Sequence, residues 1–302
     1  MDGIAQIEPP LQRRLRLRSV APPDSAQLRA VALVSIAYGI LFYEPFLTLL
    51  RDWWRLPEAG HGILLAPIAV WLARKSGRHP QSMSHAMLGL AVLVFAVLMR
   101  YAGGLAAELF TTRLSMLVAL AGLTLYFAGV RQLIHWWLPF ALLLLAIPLP
   151  ELVTQTLALP LQFKASQMGA SLLEMRNVPV QLTGNIIRVP GHELFVTEAC
   201  SGLRSMTALL STAVLLSAMC LRTPVARAAL MLLALPIAIV VNGIRVFLTG
   251  FLVYFVGPAA GTGFMHATEG LLLFIVSLAA LGLATAAGIA AERTFARVRA
   301  HA

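Results

Sequence analysis

The chain has 302 residues, 59 % hydrophobic and 12 % charged, with a mean hydropathy of +0.82 and a formal net charge of +10. A soluble domain carries about twice that charged fraction, and a chain this apolar cannot stay solvated as a disordered one. Two cysteines exclude a disulfide scaffold or a Cys-rich zinc site. Long uncharged runs such as 138–150, 206–221 and 230–244 point to helices in lipid. The expected class is an all-α polytopic membrane protein.

Eight apolar segments follow in chain order, over 29–50, 60–73, 86–107, 112–130, 134–149, 201–221, 226–250 and 269–291. The first follows a polar, basic stretch, 1–28, and is too long for a signal-peptide core, so it reads as a signal-anchor. The second is short for a span of ~20 residues. It is read as one because Arg74, Lys75 and Arg78 follow at once, as a basic inner anchor would. Residues 292–302 form a second basic tail. Eight spans put both termini on one side. Fourteen of the 23 Lys and Arg then lie inside against four acids, and the outer half nets to zero. All five tryptophans fall at segment ends, as an interfacial belt requires. The +10 charge is thereby a statement of orientation with both termini cytoplasmic, and nucleic acid is not expected as a partner.

The one sizeable connection is 151–199, expected on the outer face. Its first half, Leu152 to Met175, has helical spacing without a charge run and reads as an interfacial helix. Its second half has Gly184, Pro190 and Gly191 among β-prone runs at 178–182, 185–189 and 194–197, which reads as a hairpin or three-stranded cap. The expected architecture is therefore a transmembrane domain over 29–291, of about eight helices, with a small outer-face cap of an interfacial helix and short β strands. A connection of this length is usually functional.

Three chemically active residues fall at the same outer surface. Cys200 opens the sixth span in Glu198-Ala199-Cys200-Ser201-Gly202-Leu203-Arg204. A helix N-terminus stabilises thiolate, and Arg204 one turn on adds positive charge. Cys220 is twenty residues further along, roughly 30 Å at the α-helical rise, beyond disulfide reach, and reads as packing only. Arg245, in Asn242-Gly243-Ile244-Arg245, lies near the outer end of the seventh span. An intramembrane arginine needs a partner or a role, with snorkelling to headgroups as the alternative. Asn242 shares its face. His266 precedes the eighth span, and Glu269 three residues on orients its imidazole if the helix has begun there. Thiol plus imidazole make an activated nucleophile and proton carrier, and a guanidinium stabilises an oxyanion or a carboxylate. This is an acyl-transfer set, of a cysteine protease or a transpeptidase. No pair among His61, His192, His266 and Cys200 has metal-ligand spacing, so neither a metal nor a cofactor is expected.

At these residues the sequence resembles the exosortase/archaeosortase family of membrane-embedded cysteine transpeptidases. The resemblance rests on Glu198-Ala199-Cys200-Ser201-Gly202-Leu203-Arg204-Ser205, Asn242-Gly243-Ile244-Arg245 and Phe264-Met265-His266, in the family's order, and covers about 50–285. Gly60-His61-Gly62, Ile147-Pro148-Leu149-Pro150 and Gly184-Asn185-Ile186-Ile187 match in addition. The resemblance implies Cys200 as nucleophile, Arg245 as the essential arginine and His266 as third catalytic member. It leaves Arg204, Glu198, Asn242, Glu269 and His61 as supporting or substrate-binding residues. The archaeal branch carries arginine at the third position, so His266 implies a bacterial exosortase in the cytoplasmic (inner) membrane, active on its outer face. The implied substrates are secreted proteins ending in a short motif (often Pro-Glu-Pro), a hydrophobic helix and a basic tail. The implied acceptor is an envelope molecule, and the implied setting is exopolysaccharide production. Some relatives continue into a C-terminal periplasmic domain, so a separate periplasmic companion protein is also implied. The rival reading, a transporter, flippase or scaffold of polysaccharide export, predicts polar residues deep in several spans, and these are nearly absent here.

Overall fold

The computed structural model describes residues 25–56, 59–196, 202–261 and 263–301. Chain contacts divide it after Glu44. Helix α1, Ser25–Arg55, runs through that boundary and contains Pro45 at it. On the first side of the boundary, Tyr38 and Phe42 stack one turn apart, with ring centroids 4.8 Å apart.

From Pro45 onward the helices are α2 (Gly62–Ser76), α3 (Ala86–Leu105), α4 (Leu109–Phe127), α5 (Gly129–His135), α6 (Trp137–Leu145), α7 (Glu151–Glu174), α8 (Leu203–Cys220), α9 (Pro224–Val256) and α10 (Gly263–His301). A 3-10 turn, Pro258–Gly261, joins the last two. Strands β1 (Gln181–Thr183), β2 (Ile186–Val189) and β3 (His192–Phe195) form an antiparallel meander, with Leu182 opposite Ile187 and Ile187 opposite Leu194. The expected three-stranded cap is present in the 151–199 connection, and so is a helix, but α7 packs along α9, a helix long enough to cross a membrane, and not flat at an interface as its spacing suggested.

Six of the described helices are long and apolar enough to cross a membrane: Arg29–Arg55, Ala86–Leu105, Leu109–Phe127, Leu203–Cys220, Pro224–Val256 and Thr268–Val298. The other two of the eight expected segments differ in form. Segment 60–73 becomes α2, whose 15 residues measure about 22 Å. Segment 134–149 is divided, because Pro139 lacks an N–H and its ring clashes with the carbonyl four residues back. That carbonyl belongs to His135, where α5 ends, and α6 restarts at Trp137.

Helices that are apolar all round have no amphipathic face to direct packing, so small residues let backbones approach. In α3 the buried positions are Gly89, Ala96 and Gly103, a strict seven-residue repeat laid against α4. Glu108 caps α4, accepting from Phe110 N at 2.9 Å and Thr111 N at 2.6 Å. Burial pushes its carboxyl up, but these hydrogen bonds and the Arg113 charge outweigh that and hold it below the usual carboxylate range. At the other end of the chain Glu292 of α10 clasps the α8–α9 turn, accepting from Arg222 N and from both Thr223 N and Thr223 Oγ1. Cys220, at the end of α8, is exposed and not packed as the sequence suggested.

The Gly60-His61-Gly62 motif is a structural joint. Gly62 lies against the Trp53 indole, whose Nε1 donates to Ala146 O at 2.7 Å, and His61 Nε2 is 3.1 Å from Leu145 O. The end of α1, the start of α2 and the end of α6 are thus pinned together around Leu49, Leu65, Leu142 and Val214. Beside this joint Arg113, 3 % exposed, donates to Asp52 Oδ2 at 2.6 Å. Removing one partner of a buried pair strands the other charge, at a cost of about 3–5 kcal/mol. Arg113→Ala should therefore lower the thermal unfolding midpoint in detergent clearly, and Asp52→Asn with Arg113→Met should recover part of that loss. Equal stability of Arg113→Ala and the wild type would show that the pair contributes nothing.

Candidate active site

The site is built on α9, because two adjacent stripes of that helix carry different chemistry. Gly243, Val246 and Gly250 face α7. A Cβ on Gly243 would lie 2.8 Å from Met168 Cβ, and one on Gly250 would lie 2.9 Å from Leu173 Cδ1. Gly169 of α7 returns the arrangement, since a Cβ there would lie 2.5 Å from Val246 Cγ1. The pairs Met168–Gly243, Gly169–Val246 and Leu173–Gly250 advance together, so α7 runs parallel to α9 along this stretch.

The second stripe is Asn242, Arg245 and Thr249, at i, i+3 and i+7, which places all three on one face. Asn242 is 6 % exposed and meets the turn that opens α8. There Gly202 adopts φ +79°, a left-handed conformation that only glycine takes without cost. A Cβ on it would lie 2.6 Å from Asn242 Cγ. Gly202 O then accepts from Met206 N and Ser205 Oγ, both at 2.9 Å, which starts the helix. Arg245 meets α10: a Cβ on Gly270 would lie 3.1 Å from its Nη2 and 3.2 Å from its Cζ. One residue earlier Glu269, buried, accepts from Thr249 Oγ1 at 2.9 Å through Oε2.

Three stretches singled out in the sequence therefore meet: Gly202 beyond the Cys-Ser pair, Asn242 to Arg245, and Glu269-Gly270 after His266. Cys200 and Glu198 lie outside the described residues. His266 is described as a backbone position in α10, one turn before Glu269 and Gly270. The helix has begun by Gly263, the condition set for pairing His266 with Glu269; the Glu269 carboxylate accepts from Thr249. Arg204 is on the exposed side of the first turn of α8. His61 belongs to the joint at Leu145 and is not part of this cluster. Asn185 is likewise structural: its Nδ2 donates to Gln162 Oε1 at 3.2 Å and Val196 O at 3.1 Å, tying the sheet to α7.

Sequence reasoning missed Thr249 and the two glycines Gly202 and Gly270. The signal for Thr249 was its spacing, one turn beyond Arg245. The glycines gave none, because the atoms that need their missing Cβ belong to another helix. Chemically, the cluster combines a guanidinium, a carboxamide and a carboxylate fixed by a hydroxyl. Buried polar groups on helices apolar enough to cross a membrane are costly, which makes these positions candidates for function.

The family model described as transmembrane exosortase (Exosortase_EpsH) matches residues 53–283, which takes in every residue of this cluster. No curated protein and no solved structure matches the chain. The chain is a multi-pass membrane protein of the transmembrane exosortase family, and so in broad terms a membrane sorting transpeptidase.

Proposed function

We propose that the chain cleaves and transfers exported proteins through a thioester on Cys200, with Arg245 and His266 completing the catalytic set. The observation that carries this reading is the close approach of Gly202 to Asn242, on the helix face that also holds Arg245. Cys200 precedes Gly202 by two residues, and two residues of chain reach at most ~7 Å. The thiol is therefore tethered to the cluster whatever path those residues take. His266 is tethered in the same way, one turn before Glu269 and Gly270 on α10.

In this mechanism the Cys200 thiolate attacks the scissile carbonyl, forming the carbon–sulfur bond as the carbon–nitrogen bond breaks. His266 gives a proton to the leaving amine, then takes one from the acceptor nucleophile that releases the thioester. Arg245 stabilises the developing oxyanion or binds a substrate carboxylate. Glu269, held by Thr249, fixes the guanidinium electrostatically. Orientation follows the charge asymmetry, with both termini cytoplasmic and the site on the outer face of a bacterial inner membrane. The substrates are secreted proteins with a Pro-Glu-Pro-type motif, a hydrophobic helix and a basic tail. The acceptor is an envelope molecule, with a separate periplasmic companion as a further partner, in the setting of exopolysaccharide and biofilm formation.

The test is processing of a co-expressed exported reporter bearing such a C-terminal signal, with membrane abundance of each variant measured alongside. Cys200→Ala, Arg245→Ala and His266→Ala should each abolish processing at normal abundance, whereas Cys220→Ser should process normally. An impermeant maleimide added from outside should label the wild type and not Cys200→Ala. Full processing by Cys200→Ala would end the nucleophile assignment.

A second expectation concerns the turn at Gly202. Gly202→Ala introduces a Cβ that both the left-handed φ and the Asn242 side chain oppose, so processing should fall at least tenfold. Asn242→Ala combined with it removes the steric half of the conflict. A double variant more active than Gly202→Ala alone would show that the loss arises at this contact.

A further inference from the structure

Away from the α9 cluster, a groove of about 950 Å³ lies between the second half of α1 and α2. Phe46, Leu50 and Trp54 line it from one helix and Ile63, Pro67 and Val70 from the other, with Trp71 towards the far end. Arginines stand at both mouths, Arg51 and Arg55 one turn apart on α1, and Arg74 at the end of α2. We propose that this groove holds an anionic phospholipid, its phosphate against Arg51 and Arg55 and an acyl chain along the apolar wall.

Three observations favour this occupant. The acid between the two arginines in sequence, Asp52, is already committed to Arg113 at 2.6 Å. Among the described residues none of the ion pairs involves Arg51 or Arg55. Next, Lys75 lies 4.7 Å above the Trp71 ring beside Arg74, so the apolar wall is flanked by cationic groups there as it is at Arg51 and Arg55. Finally, both mouths are cationic. A second copy of the chain would bring like charge to like charge, while an anionic phospholipid supplies both the opposite charge and an acyl chain for the apolar wall. Size agrees: a helix about 10 Å across and 22 Å long fills roughly 1,700 Å³, more than the groove encloses, whereas ligand sites of about 300–1,000 Å³ are usual.

Trp53, Trp54 and Trp71 all line the groove and make the proposal testable without any enzymatic readout. The full-length protein is reconstituted in phosphatidylcholine vesicles containing graded fractions of dibrominated phosphatidylglycerol or dibrominated phosphatidylcholine, and tryptophan emission is recorded. Half-maximal quenching should need at least about threefold less of the brominated anionic lipid. Arg51→Gln with Arg55→Gln should erase that difference, and Arg51→Lys with Arg55→Lys should retain it. Trp54→Phe with Trp71→Phe, which leaves Trp53 as the remaining tryptophan lining the groove, should clearly reduce the lipid-selective part of the quenching. Equal quenching by the two brominated lipids would overturn the proposal. So would a preference that survives Arg51→Gln/Arg55→Gln, or one that Trp54→Phe/Trp71→Phe leaves undiminished, since the anionic lipid would then be binding elsewhere.

Discussion

The arrangement of this protein depends on α9 satisfying two demands on adjacent faces. In lipid, burying a leucine against another leucine gains little over leaving it in acyl chains, so helices associate through close backbone approach and polar contact. Gly243 and Gly250 supply the first kind towards α7, and Asn242, Arg245 and Thr249 supply the second towards α8 and α10. The two stripes are offset by a single residue, about 100° around the helix. Neither can slide without disturbing the other. A shift of α7 that opened the glycine contacts would turn the polar stripe away from Gly202 and Gly270.

This coupling gives the small sheet a purpose beyond covering the connection. Ile187, fully buried, packs with Val189 and Val196 against Leu173 of α7 and Val246 of α9. Asn185 fastens the β1–β2 turn to Gln162 and to the carbonyl of Val196, the last described residue before the Cys200 stretch. The chain thus enters that stretch from a fixed point, Val196, and leaves it at another, Gly202. Val196 packs in the cluster with Val246 and Gly202 lies against Asn242, so both flanking residues contact α9, the helix that carries Arg245.

Much of the architecture was readable because hydropathy and charge report on lipid directly. The spans expected at 201–221, 226–250 and 269–291 correspond to Leu203–Cys220, Pro224–Val256 and Gly263–His301. The helices overrun the last two segments, α9 by continuing from Phe251 to Val256 and α10 by starting at Gly263 and continuing past 291 to His301. The strands were legible because Gly184 and Gly191, both at positive φ, punctuate β-prone runs. The division at Trp136 was legible only in part: Pro139 removes an N–H and crowds the His135 carbonyl, yet Pro67, Pro160 and Pro236 stand inside continuous helices, and average hydropathy does not register a missing N–H. Least visible were the partners of each polar side chain. Spacing put Asn242 and Arg245 on one face, yet nothing in the sequence says that Asn242 meets Gly202, or that Thr249 takes one oxygen of Glu269. His61 shows the converse error: a histidine in a matching motif, read as a site candidate, serves a carbonyl at a helix joint.

The Thr249–Glu269 bond shows how such a polar cluster is tolerated. An arginine at the centre of a span costs about 2.5–3.5 kcal/mol on insertion scales and less towards an end, where Arg245 lies, and a buried carboxylate costs several kcal/mol unless it is hydrogen-bonded. One hydroxyl bond returns only about 0.5–1.5 kcal/mol, so Thr249 alone does not offset either charge. What it does is geometric. It fixes the rotation of α10 so that Gly270, with no side chain of its own, is the residue presented to the guanidinium. A Cβ there would lie 3.1 Å from Nη2 and 3.2 Å from Cζ, so the guanidinium would have to give by a few tenths of an ångström. The glycine lets the arginine lie close against α10, and the threonine holds the neighbouring carboxylate in place.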